Sequence, residues 1–168
     1  MIKTKHKTLL LLLFTTTLSS CFYWGADDDV NSGSNYEPVI LKREVFNNSV
    51  ELLPAKSQDV MGKIYIKDHY LFISEPNEGF HIFDNTDPEN PLKLKFLKVM
   101  GSTDISIKGD VLYINNAVDL IAITFNGNLN ELTVTKRIEN IFPELISPDG
   151  FLANLAQDEV VIDWKLKN

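Results

Sequence analysis

From residue 62 onward the chain is a succession of short apolar runs separated by turn-forming residues. The runs are Ile64-Tyr65-Ile66, Tyr70–Ile73, Phe80–Phe83, Leu92–Val99, Ile105–Ile107, Val111–Ile114, Leu120–Phe125 and Glu131–Ile138. They are strand-length and rich in β-branched and aromatic residues, which predicts strands rather than helices. In Leu92–Val99, Leu92, Leu94 and Phe96 alternate with Lys93, Lys95 and Leu97. That alternation predicts one buried and one wet face. Phe80–Phe83 and Leu120–Phe125 are apolar on both faces and are expected inside a sheet. Val160–Leu166 reads as a last strand and Ser147-Pro148-Asp149-Gly150 as a turn. Ahead of residue 62 the pattern is thinner. Pro38–Leu41 reads as extended, and Lys42–Ser49 as a helical turn or two with Leu41, Val45 and Ser49 on one face. Pro54 ends whatever precedes it.

The strands fall into two copies. Gly62–Ile73 aligns without gaps on Thr103–Ile114, so Ile64 and Ile66 fall on Ile105 and Ile107, and Leu71-Phe72-Ile73 on Leu112-Tyr113-Ile114. Asp68-His69 falls on Gly109-Asp110, and Gly there accepts the positive φ of a two-residue hairpin turn. Each copy then offers a third strand (Phe80–Asp84, Leu120–Phe125) and a fourth (Leu92–Val99, Glu131–Ile138). Four short strands at a period of about 40 residues are the signature of a propeller blade. The expected fold is therefore all-β: two tandem four-stranded antiparallel, propeller-blade-like sheets. Repeat 1 spans about 62–101 and repeat 2 about 102–141, with a C-terminal strand segment over 142–168.

One stretch carries a more specific resemblance. Gly79-Phe80-His81-Ile82-Phe83-Asp84-Asn85-Thr86-Asp87-Pro88-Glu89-Asn90-Pro91 resembles the LVIVD repeat, whose members read Gly-Leu-Val-Ile-Val-Asp-Val-Ser-Asp-Pro-x-x-Pro, and the likeness extends over residues 62–138. Phe142-Pro143-Glu144 and Val160-Val161-Ile162-Asp163-Trp164 look like the ends of small two-repeat lipoproteins of this kind. The resemblance implies β-propeller-type sheets and no single activity. Three departures stand out. Asn126-Gly127-Asn128 replaces the Asp-Pro turn in the second copy, His81 replaces an aliphatic residue, and there are two copies where closed propellers have about 4–8 blades. Two sheets leave open edges. Segments 38–60 and 159–166 are expected to cover them, with a ring of copies as the other solution.

The N-terminus has a different pattern. Lys3, Lys5 and Lys7 form a basic head, Thr8–Leu18 an apolar core, and Leu18-Ser19-Ser20-Cys21 follows. This is the plan of a secretory signal peptide, with a core well short of the roughly 20 residues that span a bilayer. Leu-Ser-Ser-Cys resembles the bacterial lipobox. The resemblance implies a diacylglycerol thioether on Cys21 and cleavage between Ser20 and Cys21. The expected organisation is a signal peptide over 1–20, a lipidated Cys and flexible tether over 21–37, and an all-β domain over 38–168. Phe22-Tyr23-Trp24 suits a membrane interface. Asp27-Asp28-Asp29 reads as solvated linker; in some Gram-negative groups such a cluster instead directs lipoproteins to the cell surface.

Charge and candidate chemistry narrow the function. The formal net charge is −7, and loss of residues 1–20 with Lys3, Lys5 and Lys7 takes it from −7 to −10. Nucleic-acid binding, which needs a Lys/Arg face, is not expected. Cys21 is the one cysteine, so no internal disulfide forms. Asp84, Asp87 and Glu89 offer oxygens to a hard cation, but they lack EF-hand spacing and read as turn caps. His81 reads as a satisfied strand histidine, and His69 as a solvated hairpin tip. Asp158, Glu159 and Asp163 read as surface charges. No catalytic, metal-ligand or cofactor constellation is recognised. The expected function is a non-enzymatic envelope lipoprotein, with the outer membrane as the default location and its face open. Segments 74–79 and 115–119 would present a surface to an envelope protein or a glycan. The alternatives are an accessory subunit completing a partner's β-sheet through the open edges and, less favoured, a surface hydrolase.

Overall fold

A computed structural model describes residues 33–126 and 129–168. Residues 1–32, with the segment read as a signal peptide, Ser20, Cys21 and most of the stretch read as a tether, lie outside the described residues. Eleven strands and one short helix follow: β1 (Tyr36–Lys42), α1 (Arg43–Asn47), β2 (Glu51–Pro54), β3 (Ile64–Lys67), β4 (Tyr70–Glu75), β5 (Gly79–Asp84), β6 (Leu92–Lys98), β7 (Ile105–Lys108), β8 (Val111–Asn116), β9 (Asp119–Asn126), β10 (Glu131–Ile138) and β11 (Glu159–Leu166). They form three antiparallel sheets with strand orders β2-β6-β5-β4-β3, β10-β9-β8-β7 and β1-β11. No barrel or propeller ring closes among the described residues.

Strands β3–β6 and β7–β10 repeat one another strand for strand. Ile64 faces Ile73 and Lys67 faces Tyr70, as Ile105 faces Ile114 and Lys108 faces Val111. Each third-to-fourth strand pair slips its register at the same place. The slip falls between Ile82 and Phe83 in one sheet, and opposite Ala122 and Ile123 in the other. A bulge bends its strand and adds twist, so two sheets bulged alike curve alike. Asp68 (φ 53) and Gly109 (φ 57) open the equivalent hairpin turns, Asp being one of the side chains that tolerate this region.

The bulge also corrects the alternation expected of β6. Beyond it Phe96 and Leu97 are both buried, on opposite faces, while Leu92 is exposed. Leu97, Phe72, Phe80 and Ile82 then meet Ile105, Leu112, Ile114, Ile121 and Ile123 of the other sheet in one shared core. Full burial of such side chains stabilises by about 1.5–3 kcal/mol each. Gly79 (φ 146) starts β5 where a Cβ would lie 2.0 Å from the Leu97 carbonyl oxygen, so only glycine allows that close approach.

The N-terminal third departs most from expectation. The first sheet has five strands, not four, because Glu51–Pro54 pairs with Lys95–Lys98 along β6. The terminal strand covers neither large sheet; it pairs with β1, which begins at Tyr36 inside the stretch read as tether. Helix α1 exists, but its inward residue is Phe46, and Val45 is 57% exposed. Phe46 packs with Val118, Val160 and Ile162 in a second core under the β1–β11 pair. The β2-to-β3 connection must cross the whole five-stranded sheet, since its two strands lie at opposite edges.

Candidate binding groove

The outer face of the β7–β10 sheet carries a groove of roughly 680 Å³. Its floor follows from the period of two. Ile105, Leu112, Ile114 and Ile121 turn to the core, which leaves Ser106, Tyr113 and Leu120 on the other side. The far wall is Phe142, Pro143 and Leu145. Phe142 N–H donates to the Val118 carbonyl at 2.9 Å. Trp164 Nε1 donates to the Leu145 carbonyl at 3.0 Å, pinning that wall to β11. Tyr113 is 37% exposed and Phe142 39%; both show aromatic surface to the opening.

Thr103, Asp104 and Asn115 at the groove's rim are already engaged. Asn115 Oδ1 accepts from Thr103 N–H (3.0 Å) and Asp104 N–H (2.9 Å), and its Nδ2 donates to Thr103 Oγ1. Asp104 accepts from Lys63 Nζ, Tyr65 Oη and Ile105 N–H. The Lys63 ammonium, then the Tyr65 hydroxyl, hold the Asp104 carboxyl below its usual range. Burial, followed by the hydrogen bond to Asp104, pushes the Tyr65 phenol up to about 12. A ligand in this groove meets apolar surface, the Ser106 and Tyr113 hydroxyls, and a rim whose Thr103, Asp104 and Asn115 side chains are already hydrogen-bonded.

The two segments expected to present a binding surface are largely interior. Asn116, Ala117, Val118 and Asp119 are buried beneath α1 and β11, because the turn between β8 and β9 is the contact that docks the terminal strands. Segment 74–79 exposes only Pro76 and Glu78. Asn77 is held there by Asp163 Oδ1 (2.8 Å) and by main-chain bonds to Gly101 and Ser102. Gly101 (φ 69) lies so near that a Cβ would meet that of Ala117 at 2.7 Å.

Two buried polar clusters occupy these same turns, and the sequence reading missed both. Asp119, fully buried, accepts from Arg43 Nη1 (2.9 Å), Arg137 Nη1 (2.8 Å) and Asn140 N–H (3.0 Å), and Arg137 also reaches Asn116 Oδ1. Both guanidiniums flank the Phe46 ring, at 5.4 and 5.3 Å. In the other sheet Glu75 and His81 are each 3% exposed and 2.7 Å apart. Lys56, from the crossing connection, reaches the same Glu75 oxygen at 3.0 Å and lies 4.2 Å over the Phe96 ring. Burial works against the Glu75 anion, yet the bonds from Lys56 and His81 outweigh it and leave its pKa lowered. The sequence signal for both clusters was an acid closing an apolar run: Phe72-Ile73-Ser74-Glu75 and Ala117-Val118-Asp119.

The remaining candidate residues bond locally. Asp84 accepts from Thr86 N–H and Oγ1, and Asp87 from Glu89 N–H and Asn90 Nδ2, as turn caps do. His69 is exposed and lies against Tyr70, the ring centroids 4.0 Å apart and the planes tilted by 42°. Asp158 and Glu159 hold Lys42. Comparison with protein-family models, with characterised proteins and with solved structures gives no match.

Proposed function

We propose that the protein is an envelope lipoprotein of the LVIVD-repeat kind, anchored through Cys21, whose two blade-like sheets form a non-enzymatic interaction module. The repeat reading is supported by the equal registers and equally placed bulges of the two sheets. The anchor reading is supported by the basic head, short apolar core and Leu18-Ser19-Ser20-Cys21 of the sequence. Lipidation at Cys21 gives stable attachment, each buried CH₂ contributing about 0.8 kcal/mol.

The observation that carries the binding reading is the Tyr113–Phe142 groove, apolar in its floor and wall, with most of its rim side chains already hydrogen-bonded. A glycan offers many hydroxyls and needs many free partners. A protein segment with an aromatic or aliphatic anchor needs apolar contact, and this groove supplies that. The occupant is therefore an apolar anchor of another envelope protein. A photocrosslinking residue in place of Tyr113 in cells is expected to trap one protein of defined size, and Leu120→Asp to abolish that band. Metabolic labelling with a palmitate analogue, compared with Cys21→Ser, tests the anchor separately. Equal labelling of both chains removes the anchor. Absence of a Tyr113 adduct, or one indifferent to Leu120→Asp, removes the groove.

A further inference from the structure

The four outer edges of the two large sheets are not equally protected. Strand β2 ends in Pro54, which has no donor to offer a neighbour. On β7 the first outward N–H, that of Ile105, is taken by Asp104 Oδ1 at 2.9 Å, and Ile105 itself is 5% exposed. Strand β10 carries charge along its length in Glu131, Lys136 and Arg137. Strand β3 has no proline and no capped outward N–H, and its charges, Lys63 and Lys67, stand only at its ends. Ile64 and Ile66 are 62% and 66% exposed.

The hydrogen-bond phase of β3 decides what can pair with it. Gly62 N–H donates to the Ser74 carbonyl and Ser74 N–H to the Lys63 carbonyl. Bonded and non-bonded pairs alternate along an antiparallel ladder, so Tyr65 and Lys67 exchange bonds with β4 while Ile64 and Ile66 point their main-chain groups outward. Among the described residues those groups have no partner. The same two residues carry the exposed apolar side chains.

We propose that a second copy of this chain pairs with the first through β3, antiparallel, about a twofold axis at Tyr65. In that register Ile64 of one protomer faces Ile66 of its partner, twice, and each pair exchanges two main-chain bonds. All four isoleucines gather on the outer face. The two Tyr65 residues meet as the closely spaced non-bonded pair, a position that favours aromatics. Lys63 and Lys67 fall opposite each other, and like charges there ordinarily repel. Here Lys63 is already paired with Asp104, and Lys67 with Asp68 (2.6 Å) and Asp110 (3.1 Å). Each lysine therefore reaches the interface with its charge answered inside its own protomer. The two five-stranded sheets become one continuous sheet. The pairing uses a strand other than those that floor the Tyr113–Phe142 groove, and it does not depend on the anchor.

The test uses the full chain in detergent. Sedimentation is expected to show a concentration-dependent dimer, and Ile66→Lys, a change at an exposed position, to return it to monomer with an unchanged circular dichroism spectrum. Ile64→Thr serves as the second variant should Ile66→Lys misfold. In a Cys21→Ser background, an equal mixture of Ile64→Cys and Ile66→Cys chains is expected to form disulfide-linked dimers under mild oxidation several-fold faster than either chain alone. A monomer at every concentration, a dimer untouched by both variants, or a crosslink from β3 to some other protein overturns the proposal. So does a disulfide that forms equally in the unmixed chains.

Discussion

Asp119 shows how one side chain ties distant parts of the chain together. Its carboxylate is fully buried and holds Arg43 from α1, Arg137 from β10 and the Asn140 main chain. A buried ion pair adds little over a well-packed apolar substitute, but removing one partner leaves uncompensated charge behind. Asp119→Asn is expected to cost about 3–5 kcal/mol, because two arginines then share a neutral amide; urea unfolding measures it, and a loss near zero would show the guanidiniums relaxing into solvent. Tyr65 makes the other residue-scale prediction. Burial and its bond to Asp104 raise its pKa to about 12, above the ordinary value of 10.0. The neutral phenol is thus favoured in the fold. Its stabilising effect is fully present below pH 10.0 and is lost as pH rises through about 12. A phenolate absorbance titration is expected to show a step near pH 12 that Tyr65→Phe removes.

At the scale of elements, what could be read in advance depended on which residues set each structure. The hairpins β3–β4 and β7–β8 follow from local signals: apolar runs of strand length and Asp68 or Gly109 at the turn. The helix face did not, because a five-residue helix is too short for a period to choose between Val45 and Phe46. Phe46 was selected by the cavity that Val118, Val160 and Ile162 close around it. Strand β2 carries only Glu51-Leu52-Leu53-Pro54, an unremarkable run whose partner lies more than forty residues on. Its identity as a fifth strand is a tertiary choice made by the β6 edge. The groove shows the same division. Tyr113 is placed by strand alternation, which is local, whereas Phe142 is placed by one main-chain bond to Val118 and by Trp164 holding Leu145. The loops first expected to bind are interior for a reason no local pattern carries, namely that the chain's terminal strands dock on them.

For the whole molecule, the decisive fact is that neither large sheet owns its core. Phe72, Phe80, Ile82 and Leu97 from one sheet are covered by Ile105, Leu112, Ile114, Ile121 and Ile123 from the other. Separating the copies would expose both inner faces at once, and a lone sheet of this size has little apolar area with which to offset its chain entropy. Apart from the β2–β6 pair, strand partners in the two large sheets are nearby in sequence, but the shared core is made by side chains of both repeats, so the two copies stand or fall together. The chain is therefore expected to unfold in a single transition, with near-ultraviolet and far-ultraviolet circular dichroism curves superimposed. A fragment of residues 102–141 is expected to show no cooperative transition, although it holds every strand of the β7–β10 sheet. A sharp melt in that fragment, or two separated steps in the full chain, would mean that each sheet buries enough on its own, and the shared core would then be a contact between two domains.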